Sequence, residues 1–173
     1  MRAIIASDIH GNSRYMEMLD EICDLYKVDK IILLGDLLYD YYKTDEESTN
    51  ITANLLNKRA KITTSILGNT DNKYELSKLI FPVNKEIDKI YLDSNEYYII
   101  HGHNLHKYDY LINNKPYFYG HTHIYNLDGL GINPGSISYP RMGKEHTCIL
   151  YENNKFYLIN IENKQIIETK EVG

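Results

Sequence analysis

Five short apolar runs along the chain each end at a residue that can bind a metal ion. Asp8, Asp36, Asn69, His101 and His121 follow runs of apolar and aromatic residues that predict buried strands. In an open α/β sheet, the carboxyl ends of the strands border the crevice in which ligands bind. The spacing therefore predicts that all five side chains lie at one rim of the fold.

The order of the predicted elements constrains the fold class. Strands are predicted at 2–7, 30–34, 62–67, 87–92, 97–100 and 117–119, and helices at 13–26, 51–59 and 71–79. Ser13 is the expected cap of the first helix. After residue 120 the strands are short and separated by turns such as Asp128-Gly129. A βαβαβα beginning followed by antiparallel strands predicts layered α/β sheets with helices outside.

Length and composition limit the class of protein. A chain of 173 residues predicts one domain spanning 1–173. No apolar run reaches the roughly 18 residues of a membrane span, and Asp8 comes too early for a signal-peptide core. Cys23 and Cys148 are far apart and indicate no disulfide framework, and without a recognisable export signal reduced thiols and a cytoplasmic location are expected.

The charge distribution limits the class of partner. The net charge is −5, and the longest basic cluster is Lys58-Arg59-Ala60-Lys61, which is too short for a nucleic-acid track. We expect no membrane partner and no stable binding of nucleic acid. The sequence leaves a homo-oligomer open.

The candidate donors form a set of seven, because His10 lies two residues after Asp8 and His123 two residues after His121. Their two carboxylates, four imidazoles and one amide suit transition-metal ions, and no thiolate indicates a structural zinc site. Seven donors are too many for one ion but suit two ions that share a carboxylate. Asp36 is the expected bridge, because its strand should lie between the other ligand-bearing strands. The predicted ligands are Asp8, His10, Asp36, Asn69, His101, His121 and His123.

A pair of such ions acidifies bound water and clamps both oxygens of an in-line displacement at phosphorus. This chemistry needs no serine or cysteine nucleophile. The chain has no Gly-rich loop with a following Gly-Lys-Ser or Gly-Lys-Thr, so a nucleotide-binding P-loop is excluded. The sequence therefore predicts metal-dependent hydrolysis of a phosphoester.

The motifs also resemble a known family, the calcineurin-like metallophosphoesterases. The resemblance rests on Asp8-Ile9-His10-Gly11-Asn12, Gly35-Asp36, Gly68-Asn69-Thr70-Asp71, His101-Gly102-His103 and Gly120-His121-Thr122-His123. Asn133-Pro134-Gly135-Ser136 and the absence of a cap domain resemble the YfcE-like phosphodiesterase branch of that family. The resemblance covers about residues 2–160.

The resemblance implies a four-layer α/β/β/α sandwich of two mixed sheets flanked by helices. It implies a first metal held by Asp8, His10, Asp36 and His123, and a second held by Asp36, Asn69, His101 and His121. The ions would be manganese, or iron, nickel or zinc. The implied activity is that of a phosphodiesterase, in which a metal-activated water attacks small phosphodiester or nucleotide-like substrates.

One position departs from the wider family, many members of which carry a histidine where this chain has Thr70. The missing imidazole would donate a proton to the leaving oxygen, and its loss is expected to cost about 10²–10⁴-fold for a poor leaving group. His103 is a candidate to replace it, with a packed or orienting imidazole as the alternative. Asp71 is either a helix cap, an orienting residue or a catalytic one.

Two further residues are candidates for binding substrate. Asn12 either contacts phosphate or closes a turn, and Arg141 is either a cation for the anionic substrate or an ordinary exposed arginine. In the polar stretch from Tyr39 to Asn50, Tyr39, Tyr41 and Tyr42 are candidates for stacking on a nucleobase. Ordinary covering of the core or an oligomer contact is the alternative.

Two alternative functions stay open. A non-catalytic metal-binding scaffold is one, because the retromer subunit of the superfamily also resembles this sequence. The other is a phosphomonoesterase or nucleotide pyrophosphatase on the same core.

Overall fold

The computed structural model describes residues 1–39 and 45–172, and within them the chain forms two β-sheets with flanking helices. The strands are β1 (Arg2–Ala6), β2 (Lys30–Leu33), β3 (Thr63–Ser65), β4 (Ile87–Leu92), β5 (Asn95–Ile100), β6 (Tyr117–Tyr119), β7 (Gly131–Ile132), β8 (Thr147–Glu152), β9 (Lys155–Asn160) and β10 (Ile166–Glu171). The α-helices are α1 (Ser13–Tyr26), α2 (Glu46–Lys58), α3 (Lys73–Leu76) and α4 (Asp109–Ile112), and short 3₁₀ turns lie at Ala60–Ile62 and Leu105–Tyr108.

Both sheets are mixed, as expected for this fold class. The larger sheet has the order β10-β9-β8-β1-β2-β3, in which β1, β2 and β3 are parallel neighbours. The smaller has the order β4-β5-β6-β7, in which β5, β6 and β7 are parallel neighbours. β2 lies between β1 and β3, which is the central position predicted for the strand that precedes Asp36.

The two sheets pack face to face, and the long helices α1 and α2 cover the other face of the larger sheet. On β1, Ile5 faces the core between the two sheets, while Ile4 faces the core beneath α1 and α2. Both faces of β1 are therefore buried, which explains its unbroken apolar run. On the smaller sheet, α4 lies beside Tyr117, on the side away from the inter-sheet core.

The helix ends differ from the sequence prediction. Asn12, not Ser13, caps α1, and its side chain accepts a hydrogen bond from the backbone N–H of Tyr15. α2 begins earlier than predicted, because Asp45 caps it and two glutamates stabilise its first turn. α3 is a single turn capped by Asn72, so Asp71 is not a cap.

The structure also bears on the predictions for the cysteines, the tyrosines and a membrane span. Cys23 and Cys148 are both free and buried, and burial raises the pKa of Cys23 to about 12. The stacking predicted for Tyr41 and Tyr42 lies outside the described residues. Across the described ranges, no helix has the length and apolar character required to cross a membrane.

A cluster of charged side chains joins α1 to the end of α2. Arg59 donates hydrogen bonds to the Asp20 carboxylate, to the Asp20 carbonyl at 2.9 Å and to Asp24 at 2.8 Å. Lys58 also contacts Asp20 at 2.8 Å. Because the Asp20 and Arg59 side chains are each only 11% exposed, they depend on each other for compensation of charge.

We predict that Arg59→Ala lowers the free energy of unfolding by about 2–3 kcal/mol, because it leaves the largely buried Asp20 carboxylate with Lys58 alone. Urea denaturation measures the change. Lys85→Ala is the matched control, since Lys85 pairs at the surface with Asp88 and should cost less than about 1 kcal/mol. Equal losses in the two variants would contradict the prediction.

Candidate metal centre

The predicted ligands converge at the carboxyl ends of the parallel strands of both sheets. The donor atoms of Asp8, His10 and His123 lie within 4.8 Å of one another, and so do those of Asp8, Asp36 and His101. All five side chains are buried. Two strand ends from each sheet therefore bring acidic and imidazole donors into one small volume.

Asp36 belongs to the second group of donors and also approaches His10 of the first. Its Oδ2 atom is 3.7 Å from Nε2 of His10 and 3.4 Å from Nε2 of His101. Asp8 belongs to both groups, and its Oδ1 atom is 3.2 Å from Nε2 of His123. The structure therefore offers two carboxylates in positions that two cations could share, whereas the sequence prediction gave this role to Asp36 alone.

The other two predicted ligands lie beside this core. Oδ1 of Asn69 is 3.0 Å from Nε2 of His101. The half-buried ring of His121 has its centroid 5.2 Å from that of His101. All seven predicted ligands therefore lie in one neighbourhood, although Asn69 and His121 are in neither of the two groups.

Backbone carbonyls fix the orientation of three imidazoles. Nδ1 of His10 contacts the Tyr39 carbonyl at 3.1 Å, Nδ1 of His101 contacts that of Leu34 at 2.7 Å, and Nδ1 of His123 contacts that of Tyr139 at 2.7 Å. A carbonyl only accepts, so each Nδ1 must carry the proton. Each Nε2 then faces the carboxylates, which is the arrangement that metal-binding histidines use.

The pKa shifts at the centre favour a positive charge between the carboxylates and the imidazoles. Burial raises the pKa of Asp36, but the hydrogen bond and charge of His101 outweigh it and hold that pKa well below its usual range. Burial lowers the pKa of His101, but Asp36 and Asp8 outweigh it and raise that pKa to about 9. A site that holds a proton this firmly between an imidazole and carboxylates fits a divalent cation in its place.

The backbone is strained where the ligands sit. Among residues other than glycine, a positive φ is uncommon, although Asp, His and Asn tolerate it best. Five predicted ligands have this conformation, namely Asp8, His10, Asp36, His121 and His123, with φ between 50° and 65°. Such strain persists only where the surrounding structure enforces it, and it is often found at functional sites.

Hydrogen bonds between the loops enforce that geometry. The carboxylate of Asp71 accepts from the backbone N–H groups of Asp36, Leu37 and Gly68 at 2.8–2.9 Å, which ties the loop after β2 to the loop after β3. Asp71 thus holds two ligand loops together, which is consistent with the orienting role among those predicted for it. Across the sheets, Asp8 accepts from the N–H of His121 at 2.9 Å.

The Asn133–Ser136 segment holds the loops from a third side. The Asn133 amide donates to the Gly120 carbonyl at 3.0 Å, and the Ser136 hydroxyl donates to the Asp8 carbonyl at 2.8 Å. Ser138 does the same for the Ile9 carbonyl at 2.7 Å. The segment thus positions two ligand loops, a role that the sequence motif did not reveal.

Glycines precede several ligands because the loops touch there. A Cβ atom added at Gly68 would lie 2.1 Å from Oδ1 of Asp36. One added at Gly120 would lie 1.9 Å from the Ser7 hydroxyl oxygen and 2.8 Å from Oδ2 of Asp8. Only glycine allows the strand ends to approach this closely.

A cavity of about 230 Å³ opens onto the centre. Its lining residues are His10, Asp36, Asn69, Thr70, His121, His123 and Arg141. Arg141 therefore reaches the place at which a substrate would bind. Thr70 lines the same cavity, and its backbone N–H donates to Oδ1 of Asp36 at 2.9 Å.

Two candidate residues lie beside the cavity rather than in its lining. The His103 ring is 5.5 Å from that of His101 and 6.1 Å from that of His121, and burial together with the charge of His101 lowers its pKa. Asn12 caps α1, and its amide nitrogen donates to the Tyr139 hydroxyl at 3.3 Å. Both the oxygen and the nitrogen of the Asn12 side-chain amide therefore have hydrogen-bond partners within the fold.

Comparison with known proteins assigns the chain to a family. The model of the calcineurin-like phosphoesterase superfamily domain matches residues 1–155. The chain belongs to that superfamily. Membership implies divalent metal ions, and the two buried donor groups are the residues that fit them.

The most similar relatives include a phosphodiesterase. The phosphodiesterase YfcE of Escherichia coli K12 is 26% identical over 176 residues, which cover 96% of each chain. The YfcE structure from E. coli aligns over 100% of both chains with a TM-score of 0.85 and 24% identity. The structure of Entamoeba histolytica Vps29 in complex with Zn²⁺ aligns over 100% of both chains with a TM-score of 0.66 and 17% identity.

We predict that Gly120→Ala weakens Mn²⁺ binding by at least about tenfold, because the added methyl group pushes Ser7 and Asp8 away from the centre. Isothermal titration with MnCl₂ measures the affinity. Gly129→Ala is the control: its Cβ meets nothing within 4 Å, although its positive φ should cost about 1 kcal/mol of stability. Unchanged Mn²⁺ affinity in a folded Gly120→Ala variant would contradict the prediction.

Proposed function

We propose that this chain is a metal-dependent phosphodiesterase that binds two divalent ions, with Mn²⁺ preferred, and hydrolyses small phosphodiester or nucleotide-like substrates. The observation that carries the proposal is the set of imidazole Nε2 atoms fixed toward two buried carboxylates at the base of a cavity. When bound, the ions would supply an acidified water and charge for the phosphoryl oxygens.

The residues of the chain have distinct tasks in this proposal. Asp8, His10, Asp36 and His123 hold one ion, and Asp36, Asn69, His101 and His121 hold the other. The carbonyls of Tyr39, Leu34 and Tyr139 keep the imidazoles aligned. Because these contacts form within the folded chain, the imidazoles are aligned before any substrate binds.

The cavity also favours an anionic substrate. Arg141 brings a permanent positive charge to its lining, beside the predicted ligands. A phosphodiester keeps one negative charge at neutral pH, which a guanidinium can bind through charge-assisted hydrogen bonds. We assign to Arg141 the binding of the phosphoryl group or of a charged part of the substrate.

A non-catalytic scaffold is the second candidate, because the fold is shared with Vps29. A scaffold needs a binding surface but no open cavity above its ligands. The lining of the cavity by ligands together with Arg141 supports the enzyme instead. Full metal occupancy without turnover on any phosphoester would favour the scaffold.

We predict that Asp36→Asn and His121→Ala each lower the Mn²⁺-dependent hydrolysis of bis(4-nitrophenyl) phosphate by at least about 10²-fold, because each removes a donor from the centre. Release of 4-nitrophenolate and the bound metal per chain are the two measurements. Asp128→Asn and His106→Ala, which change exposed side chains away from the cavity, are the matched controls. Equal rates in all five proteins would refute the proposed function.

We predict that Arg141→Ala raises the KM for the same diester about ten- to hundredfold, because a charge-assisted contact of about 1.5–3 kcal/mol is lost. The inhibition constant of inorganic phosphate should rise by a similar factor. This second measurement tests binding of the anion independently of turnover. Arg14→Ala is the control, since Arg14 is exposed and lies over Tyr15 at the surface. If both variants keep the wild-type KM, Arg141 has no role in binding substrate.

A further inference from the structure

The strand β10 lies at an edge of the larger sheet. It pairs with β9, and no other strand in the described part of the chain pairs with it. The N–H of Val172 donates to the Asn154 carbonyl at 2.9 Å, so these two residues form a hydrogen-bonded pair of the antiparallel ladder. Because such pairs alternate along the ladder, the backbone N–H and C=O groups of Thr169 and Glu171 point away from β9. β10 therefore presents backbone donors and acceptors to a further strand.

Two opposite charges lie on one face of β10. Glu168 and Lys170 are on the side of the core between the sheets, as are the residues opposite them in β9. The Lys170 ammonium donates to the carbonyls of Leu127 and Gly129 at 2.5 Å and 2.7 Å, which uses two of its three protons. Glu168 is exposed and makes no ion pair or side-chain hydrogen bond within the described ranges. The strand thus carries a carboxylate without a partner and an ammonium with one proton to spare.

These charges select one register for pairing with a second copy of β10. In an antiparallel pair related by a two-fold axis, an axis at Glu168, Lys170 or Glu171 places that residue opposite its own copy, so that like charges meet. An axis at Thr169 instead places Glu168 of each copy opposite Lys170 of the other, so that two ion pairs form. The outward N–H and C=O groups of the two Thr169 residues then bond to each other. Among axes at residues 168–171, the axis at Thr169 alone avoids like charges at its centre.

The other edge strands lack this combination. β4 is as long as β10, but its charged side chains are paired within the chain, since Asp88 contacts Lys85 at 2.8 Å and Lys89 contacts Glu96 at 3.1 Å. The edge strands β3 and β7 have only three and two residues. Among the edges that the structure describes, β10 is therefore the one whose length and free charges suit a second strand.

We propose that β10 is the interface of a homodimer, in which the strands of two copies pair antiparallel about Thr169 and join the two larger sheets into one continuous sheet. Charges on an edge strand normally keep other strands away. Here the same charges are complementary in one register, so the edge rejects unrelated strands and accepts a second copy. Ile166 and Ile167, which are 51% and 39% exposed, lie on the same strand, and pairing removes part of their apolar surface from water.

The dimer leaves the metal centre accessible. In the larger sheet the ligands follow β1, β2 and β3, and β9 and β8 separate β10 from β1. We therefore expect the rate of diester hydrolysis per chain to be the same in the monomer and in the dimer. The inference is thus independent of the proposed function, and either can fail without the other.

Sedimentation velocity of the full chain over a range of concentrations tests the interface. The wild-type chain should form a reversible dimer with a dissociation constant below about 100 μM, because a single strand pair is a small interface. Thr169→Pro should raise that constant at least about tenfold, since proline lacks the outward N–H while the bonds to β9 remain. Thr169→Val keeps the N–H and should keep the dimer. A wild-type chain that stays monomeric at about 100 μM, or a dimer that Thr169→Pro leaves intact, would overturn the proposal.

An exchange of charges tests the register, also in case Thr169→Pro does not fold. Glu168→Lys and Lys170→Glu each place like charges opposite each other in a homodimer, so each should raise the dissociation constant at least about fivefold. A mixture of the two variants has opposite charges at both pairs, so the heterodimer should form at least about fivefold more tightly than either homodimer. Glu17→Lys makes the same change in net charge at an exposed position of α1 and should leave the dimer unchanged. A mixture that associates no more tightly than the separate variants would overturn the pairing about Thr169.

Discussion

The structure depends on the burial of two carboxylates, Asp8 and Asp36, side by side at the ends of neighbouring parallel strands. Their donor atoms, with that of His101, lie within 4.8 Å, and both side chains are at most 3% exposed. Two buried like charges at this separation are unfavourable unless a cation lies between them. The imidazoles that face the two carboxylates can either carry a proton, and so provide that positive charge, or bind a metal ion that provides it. The two carboxylates and the surrounding histidines are therefore stable only together.

Holding this unit imposes a strained backbone that the rest of the fold must compensate. Ligand residues in the left-handed region cost free energy that ordinary strand ends do not. The compensation is visible in the contacts between loops, since Asp71 joins the loops after β2 and β3 and Ser136 holds the carbonyl of Asp8. Both sheets contribute, because the N–H of His121 from one sheet reaches the carboxylate of Asp8 from the other. The centre is therefore a property of the packed sandwich and not of any one loop.

Much of this arrangement can be predicted from local sequence patterns. Each apolar run is followed by a polar residue, and the carboxyl ends of neighbouring parallel strands lie at the same edge of a sheet. These patterns predicted layered α/β sheets with helices outside, while the motif resemblance implied the two mixed sheets and the family; all of these are confirmed. Contacts between distant segments were not predictable by the same means. The reach of Asp71 to the N–H of Asp36, and the approach of Gly120 to Ser7, join residues from different loops. The predicted caps at Ser13 and Asp71 were wrong, because Asn12 and Asn72 cap the starts of α1 and α3. The carboxylate of Asp71 is instead bound by backbone N–H groups that include those of the distant loop after β2.

The residues that form the metal centre differ in role from the residues that only line the cavity. The donor groups are built from strand ends and tight loops, so any chain with this sandwich can retain them, whether it is an enzyme or a scaffold. Residues that touch the cavity without supporting the loops are free to differ, because their replacement costs little stability. Arg141 belongs to this class, and so does the side chain of Thr70, whose backbone N–H alone contacts Asp36. These side chains line the cavity without holding the centre together, so they are the positions at which substrate selection can change without loss of the fold.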